Sequence, residues 1–488
     1  MEVNAIAKAL ENKNILITGS TGFLAKIFVE KILRVEPNVK KLFLLVRAAD
    51  AKSAKQRLHD EVIGKDLFRV LKERYSTNFN SFIMSKVTTI VGDISRINLG
   101  VDSKLREQLE NEIDVIVNIA ATTNFDERYD IGLGINTVGA RHVLDFAKKC
   151  SKLEMLLHIS TAYVCGERAG LNLETPIKMG ETLNGIPGLD IEQELNLVKE
   201  KRAQLAARQA TKEEETFAMK ELGMERSRFY GWPNTYVFTK SMGEMLLGEL
   251  RGDIPLVIIR PTIITSTYKE PFCGWVEGVR TIDSLAVAYG KGKLTCFLGD
   301  YDLVLDLIPG DMVVNAMIVA MVAHANQRNE FIYQLGSSLS NPIISTNLKD
   351  FAYRYFSANP WIGKDGIPVI VKKARLFTSP TSFHRYLSLH YILPLKGLQV
   401  VNAALCNSFR QSYTSASRKI SLVLRLVELY QPYIFFKGIF DDKNSESLRM
   451  AMTDETERNT FYFDPKVINW EDYFMNIHFP GIVKHIFK

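Results

Sequence analysis

The segment that most restricts the fold is a short apolar run broken by glycine. Asn14-Ile15-Leu16-Ile17-Thr18 reads as a buried strand. It leads into Thr18-Gly19-Ser20-Thr21-Gly22-Phe23-Leu24-Ala25, after which Leu24, Ile27, Phe28 and Ile32 recur at helical spacing. A second apolar run, Lys41-Leu42-Phe43-Leu44-Leu45-Val46, follows. Strand, glycine turn, helix and strand in that order make a parallel α/β unit, since parallel neighbours need a crossover. Gly19 permits a tight turn, Gly22 lets the backbone approach a ligand, and Ala25 lets the helix pack close to the strand. The helix start offers free N–H groups and the positive end of its dipole to a pyrophosphate. Thr18, Thr21, Phe23 and Leu24 share that loop and are candidate cofactor contacts with the two glycines.

Further buried strands are predicted at residues 87–91, 113–119, 153–159 and 255–259, with helical stretches such as 137–150 between them. The alternation predicts an α/β fold with a doubly wound parallel sheet, which binds ligands at the carboxyl ends of its strands. Arg47 closes the second strand where an acidic residue would hold the 2′-hydroxyl of NAD; an arginine suits the 2′-phosphate of NADP. Asp93 and Ile94 end the third strand, where the carboxylate can meet an adenine amine or simply brace a turn. Asn118 and Ala120 end the fourth, in a run of small residues that leaves room for a cofactor. Arg260-Pro261-Thr262 ends the sixth, placing Pro261 and Thr262 near a nicotinamide, with Arg260 either beside them or in a structural ion pair.

Four segments match Y-x-x-x-K. Tyr289 to Lys293 holds two glycines, Tyr462 to Lys466 a proline, and Tyr433 to Lys437 lies in an aromatic region beyond the strands; these phenols are expected to be dispensable. Only Tyr236-Val237-Phe238-Thr239-Lys240 opens a convincing helix and directly precedes a strand. At i and i+4 the two side chains share a helix face. Lys240 can lower the phenol's pKa and bind the nicotinamide ribose, and Tyr236 can then donate a proton to a developing alkoxide. A partner hydroxyl is expected after the fifth strand: Thr161, by register with Gly166, with Ser160 as second choice.

The remaining chain sets the domain pattern. With 488 residues, two or three domains are expected. We assign residues 1–340 to the cofactor domain, with an insertion at about 170–230 whose charged second half reads as a surface helix or helical pair. Residues 341–382 read as a linker or substrate region, and 383–488 as a separate helical, aromatic-rich C-terminal domain. A net charge of +6 without a dense basic block gives no reason to expect nucleic acid, though it suits an anionic substrate or membrane surface. Cys150, Cys165, Cys273, Cys296 and Cys406 form no C-x-x-C pair, which favours a reducing compartment. No metal-ligand spacing occurs, so no metal is expected. Nor is there an uninterrupted apolar run of about 18 residues, the length a spanning helix needs.

The glycine motif, Asn118 to Arg128 (N-I-A-A-T-T-N-F-D-E-R), Gly231 to Lys240 (G-W-P-N-T-Y-V-F-T-K), Arg260 to Thr267 and Lys437 to Asp442 together resemble the plant alcohol-forming fatty acyl-CoA reductases. These are Rossmann-like extended short-chain dehydrogenases, and the resemblance spans essentially the whole chain. It implies NADPH as reductant, a long-chain acyl-CoA as substrate and a primary fatty alcohol as product, for wax or other surface-lipid synthesis. It maps the catalytic pair onto Tyr236 and Lys240. It also suggests the cytosolic face of the endoplasmic reticulum, with peripheral attachment, over the cytosol. The rival readings are a reductase that stops at the aldehyde and a nucleotide-sugar epimerase or dehydratase on the same fold. Aromatic, basic and apolar stretches at 386–405 and 421–440 are the expected membrane-facing surface.

Overall fold

The computed structural model describes residues 3, 5–363, 366–404 and 410–487. Seven parallel strands form its main sheet: β1 (Asn14–Thr18), β2 (Lys41–Val46), β3 (Val87–Val91), β4 (Val115–Asn118), β5 (Met155–Ile159), β6 (Leu256–Pro261) and β7 (Glu330–Leu335), in the order β7-β6-β5-β4-β1-β2-β3. The order reverses between β1 and β4, which is where a doubly wound sheet binds its ligand. Six strands coincide with the predicted ones. The seventh, β7, carries Glu330 and Gln334 among its apolar residues and sits at the sheet edge, so it lacks the continuous apolar run of a central strand.

Separate apolar cores cover the two faces of the sheet. On one face the helices Phe23–Val35 and Gly310–Ala323 lie together. The second explains the longest apolar run of the sequence: Val313, Val314, Met317 and Ile318 are fully buried, as in a helix apolar all round. Each such side chain contributes ~1.5–3 kcal/mol by leaving water. Among the described residues no helix is long and apolar enough to cross a membrane.

The insertion is a helical pair, Ile191–Ala207 and Lys212–Phe229. It is pinned by the buried Glu194 carboxylate, which accepts from Arg226 at 2.5 Å and from the Tyr129 phenol at 2.8 Å. Residues 341–382 are more than a linker. They include the helix Ser345–Ala358, whose Phe351, Tyr355 and Phe356 join the main core.

The C-terminal region packs against the sheet. Trp470, Tyr473, Phe474, Phe479 and Ile482 belong to the same core as the sheet, and the strand Gly438–Phe440 pairs in parallel with Gly170–Asn172 of the insertion. These aromatic residues face inward in a pattern that helical spacing alone cannot distinguish from a surface stripe. Cys150, Cys165, Cys273 and Cys296 are free thiols; Cys406 lies outside the described residues.

Candidate active site

The carboxyl ends of the strands open into a cavity of about 910 Å³. At its cofactor end lies the glycine turn. Gly19 has φ +67°, and a Cβ there would meet the Ala120 backbone at 2.7 Å, so no other residue fits without displacing that chain. The helix Phe23–Val35 begins with no side-chain cap at Gly22, leaving its first N–H groups to face the cavity. Thr21, Gly22, Phe23, Leu24, Ala120 and Ile94 all line it.

Arg47 stands exposed at the end of β2, with Arg57 beside it on the cavity wall. Arg57 donates to the Arg47 carbonyl and grips Glu61 at 2.6 and 2.9 Å. This second guanidinium was missed because it lies ten positions beyond Arg47 and comes back only through the fold. Asp93 lines the cavity, but its carboxylate also accepts from the Ser95 amide at 2.9 Å, so it braces the turn as well.

Two predicted contacts lie behind the wall. Thr18 and Asn118 are buried and bond each other at 2.6 Å instead of facing the cavity. The register accounts for this: Thr18 pairs with Asn118 and Asn118 with His158 across three adjacent strands. Asn118 also approaches His158 Nδ1 at 2.9 Å, and the Ala120 amide donates to Thr18 at 3.1 Å. Arg260 turns away too, into a buried ion pair with Glu244 at 2.5 Å, whereas Pro261 and Thr262 stay at the cavity.

Tyr236 and Lys240 sit on the helix Thr235–Leu250, capped by Asn234, whose side-chain carbonyl accepts from the Val237 amide at 3.1 Å. Tyr236, Lys240 and Thr161 meet at the cavity. Thr161 Oγ1 accepts from the Tyr163 amide at 3.3 Å. Burial pushes the Tyr236 phenol up to about 12, while Thr161 and the nearby positive charge of Arg280 pull it down. The expected partner in that role, Lys240, instead directs its amine to the Ile159 carbonyl at 2.6 Å and to His158 Nε2 at 3.1 Å. Burial lowers its pKa from 10.5 to about 8, with Glu244 opposing. His158, wholly enclosed, is held well below the ordinary imidazole range by burial and then by Lys240, so it is neutral.

Ser160 and Thr262 both line the cavity, and among the described residues the buried Ser160 hydroxyl has no bonding partner. A free buried hydroxyl, a cradle that excludes a Cβ, an uncapped helix start and a basic strand end together fit a nicotinamide dinucleotide.

Beyond Tyr236 the cavity becomes apolar. Ile282, Leu285, Leu294, Leu348 and Phe474 line it, and the helix Arg410–Ile434 contributes Leu429, Tyr430 and Tyr433. The Phe125 ring lies 5.8 Å from that of Tyr236 and 5.1 Å from that of Tyr433. Tyr289 and Tyr433, expected from the sequence to be dispensable, are both wall residues, and the helix Thr281–Gly290 stops one residue past Tyr289, short of Lys293. Tyr462 stays apart, its phenol bonded to Asp311.

Solved structures of similar fold are reductase domains. The terminal R domain of the myxalamid PKS-NRPS pathway aligns with a TM-score of 0.52 at 19% identity, over 93% of this chain and 90% of that one. The R domain of a Mycobacterium tuberculosis non-ribosomal peptide synthetase gives 0.53 at 17%, over 94% and 92%. At such identities the likeness speaks for the fold alone, a Rossmann-like parallel sheet covered by helices. Two family profiles described as "Male sterility protein" match residues 17–317 and 390–488. The chain is 56% identical to the alcohol-forming fatty acyl-CoA reductase of Simmondsia chinensis over 99% of both chains, and 54% identical to fatty acyl-CoA reductase 1 of Arabidopsis thaliana over the whole of both. Human fatty acyl-CoA reductase 2 is 26% identical over 100% of this chain and 87% of its own. The chain belongs to this fatty acyl-CoA reductase family, an enzyme family of oxidoreductases.

Proposed function

We propose that this enzyme reduces long-chain fatty acyl-CoA to a primary alcohol with NADPH, releasing CoA and retaining the intermediate aldehyde, for wax or other surface-lipid synthesis. The observation that carries the reading is that Tyr236 and Thr161 share one cavity with the glycine cradle and with apolar residues such as Leu285, Leu348 and Leu429.

The nicotinamide supplies hydride. Tyr236 and Thr161 would donate hydrogen bonds to the oxygen of the attacked thioester carbonyl as it gains charge. When that adduct collapses, the C–S bond breaks and the thiolate leaves as CoA, which takes up a proton. The aldehyde is the more electrophilic carbonyl, so the same two hydroxyls serve a second hydride addition, and Tyr236 gives its proton to the alkoxide. Leu285, Leu348 and Leu429 would hold the chain in place between the rounds. Arg47, supported by Arg57, favours NADPH through the 2′-phosphate.

The test is stoichiometry: two NADPH oxidised per CoA released, fatty alcohol as main product and little aldehyde captured by an added scavenger. One NADPH per CoA with free aldehyde would instead make this an aldehyde-forming reductase.

Peripheral attachment to the cytosolic face of the endoplasmic reticulum is part of the proposal. The expected membrane stretches divide in the structure: Leu387, Leu429 and Ile434 are buried, whereas Leu389, Tyr391 and Leu393 are exposed. Exposed apolar side chains next to basic ones suit the interface. Pelleting with microsomes, and release by alkaline carbonate, would support this; a protein left in the supernatant would oppose it.

A further inference from the structure

The buried chain behind the cavity has a direction. A backbone N–H can only donate, so Thr18 Oγ1 accepts from Ala120 and its own O–H is left for another partner. The Thr18 hydroxyl then donates to Asn118 Oδ1, which leaves the Asn118 amide nitrogen as donor to His158 Nδ1. With Nδ1 accepting, the one proton of a neutral imidazole must lie on Nε2. That N–H points at Lys240 Nζ from 3.1 Å. An ammonium has no lone pair to receive it; an uncharged amine does. The amine keeps two protons of its own, one of which goes to the Ile159 carbonyl at 2.6 Å.

We infer that His158, its tautomer set by Asn118 and Thr18, holds Lys240 uncharged in the free enzyme at mildly alkaline pH, so that Lys240 acquires its proton when the nucleotide binds. The inference rests on the proposed nucleotide site. Burial of Lys240, which lowers its pKa to about 8, acts in the same direction. The groups facing the amine agree with it. His158 reaches it from β5, and Tyr236 shares its helix face. Glu244, one turn along the helix, would favour the charged amine, but its carboxylate is taken up by Arg260 at 2.5 Å. A bound nucleotide brings phosphate charge and ribose hydroxyls that stabilise an ammonium. Charging Lys240 then requires His158 Nε2 to become an acceptor, its proton moving to Nδ1 and the Asn118 amide turning over. His158 is therefore a positioning residue: it acts through Lys240 and does not meet the substrate.

The experiment is titration calorimetry of full-length enzyme with NADPH at about pH 8.5, in buffers of different ionisation heat, which counts the protons taken up on binding. Wild type is expected to take up between about half and one proton per site. Lys240→Met should take up almost none, which separates the lysine from any other group that titrates. His158→Gln, whose amide can still donate to Lys240, should keep the uptake. His158→Asn, too short to reach it, should lose most of it, because Lys240 is then already charged. Asn118→Leu frees the tautomer and should also reduce the uptake, which serves if the His158 variants fold poorly. Absence of binding heat would remove the nucleotide site itself. Binding with no proton uptake by wild type, or uptake equal in wild type, His158→Asn and Asn118→Leu, would overturn the inference.

Discussion

The Tyr433 phenol accepts a hydrogen bond at 2.8 Å from the side-chain amide of Asn234, the residue that caps the catalytic helix. One face of Asn234 holds the first turn of that helix and the other holds the last turn of Arg410–Ile434. The C-terminal region therefore fixes where Tyr236 stands. Tyr433→Phe should remove a net of about 0.5–1.5 kcal/mol and leave a buried amide without its partner. We expect turnover to fall several-fold, with a raised KM for acyl-CoA and unchanged NADPH affinity. Removing residues 410–488 should abolish activity entirely, since it strips one wall of the cavity and part of the main core. An active truncated enzyme would refute this dependence.

Tyr236→Phe should abolish alcohol formation while leaving NADPH binding largely intact, because only the proton donor is lost. Thr161→Ala should lower kcat by about 10²–10³, the usual loss when one donor to a developing oxyanion is removed. Arg280 is the positive charge that most lowers the phenol's pKa. Arg280→Gln should therefore shift any alkaline limb due to Tyr236 to higher pH. Steady-state rates across pH decide all three, and a Tyr236→Phe enzyme of normal rate would remove the assignment.

Arg47→Ala should cost about 1.5–3 kcal/mol in kcat/KM for NADPH, the range of a bond to a charged group, and little for NADH. Arg57→Ala should act in the same direction but less, as its guanidinium is already shared with Glu61 and the Arg47 carbonyl. The two losses should not add, because the residues touch. Equal use of the two cofactors by wild type would contradict the 2′-phosphate reading.

What the sequence revealed and concealed follows from the range of the interactions. The glycine turn, Arg47 and the Tyr236–Lys240 pair lie within single local elements, where spacing alone fixes the geometry. Thr18 and Asn118 were assigned to the right strand ends but the wrong side, because register across three strands decides which way a terminal side chain turns. His158 was passed over for the same reason: it reads as an apolar-strand residue until β5 is laid beside β4. Tyr433 was lost by distance, its partner Asn234 being 199 positions away. Within residues 341–382 the helix Ser345–Ala358 has an ordinary amphipathic pattern, yet that it brings Leu348 to the cavity depends on the fold and not on its spacing. Arg260 shows the converse, a conspicuous strand-end cation that serves only a buried ion pair.

Lys240 should also weaken the fold that carries it. Its pKa falls from 10.5 to about 8 on folding, chiefly through burial. The folded state thus releases the proton first, and between those values the unfolded chain binds more protons, so stability rises with pH. Below about pH 8 the penalty is fully present, of the order of 3 kcal/mol at about 1.4 kcal/mol per unit. Lys240→Met, which keeps the length of the side chain without its charge, should therefore raise Tm at neutral pH while abolishing turnover. Lost bonds to His158 and the Ile159 carbonyl will offset part of the gain. The difference between variant and wild type should shrink as pH climbs from about 8 towards 10.5. Thermal denaturation across that range is the measurement; a variant less stable at pH 7, or a difference independent of pH, would show that the amine is not held at a cost.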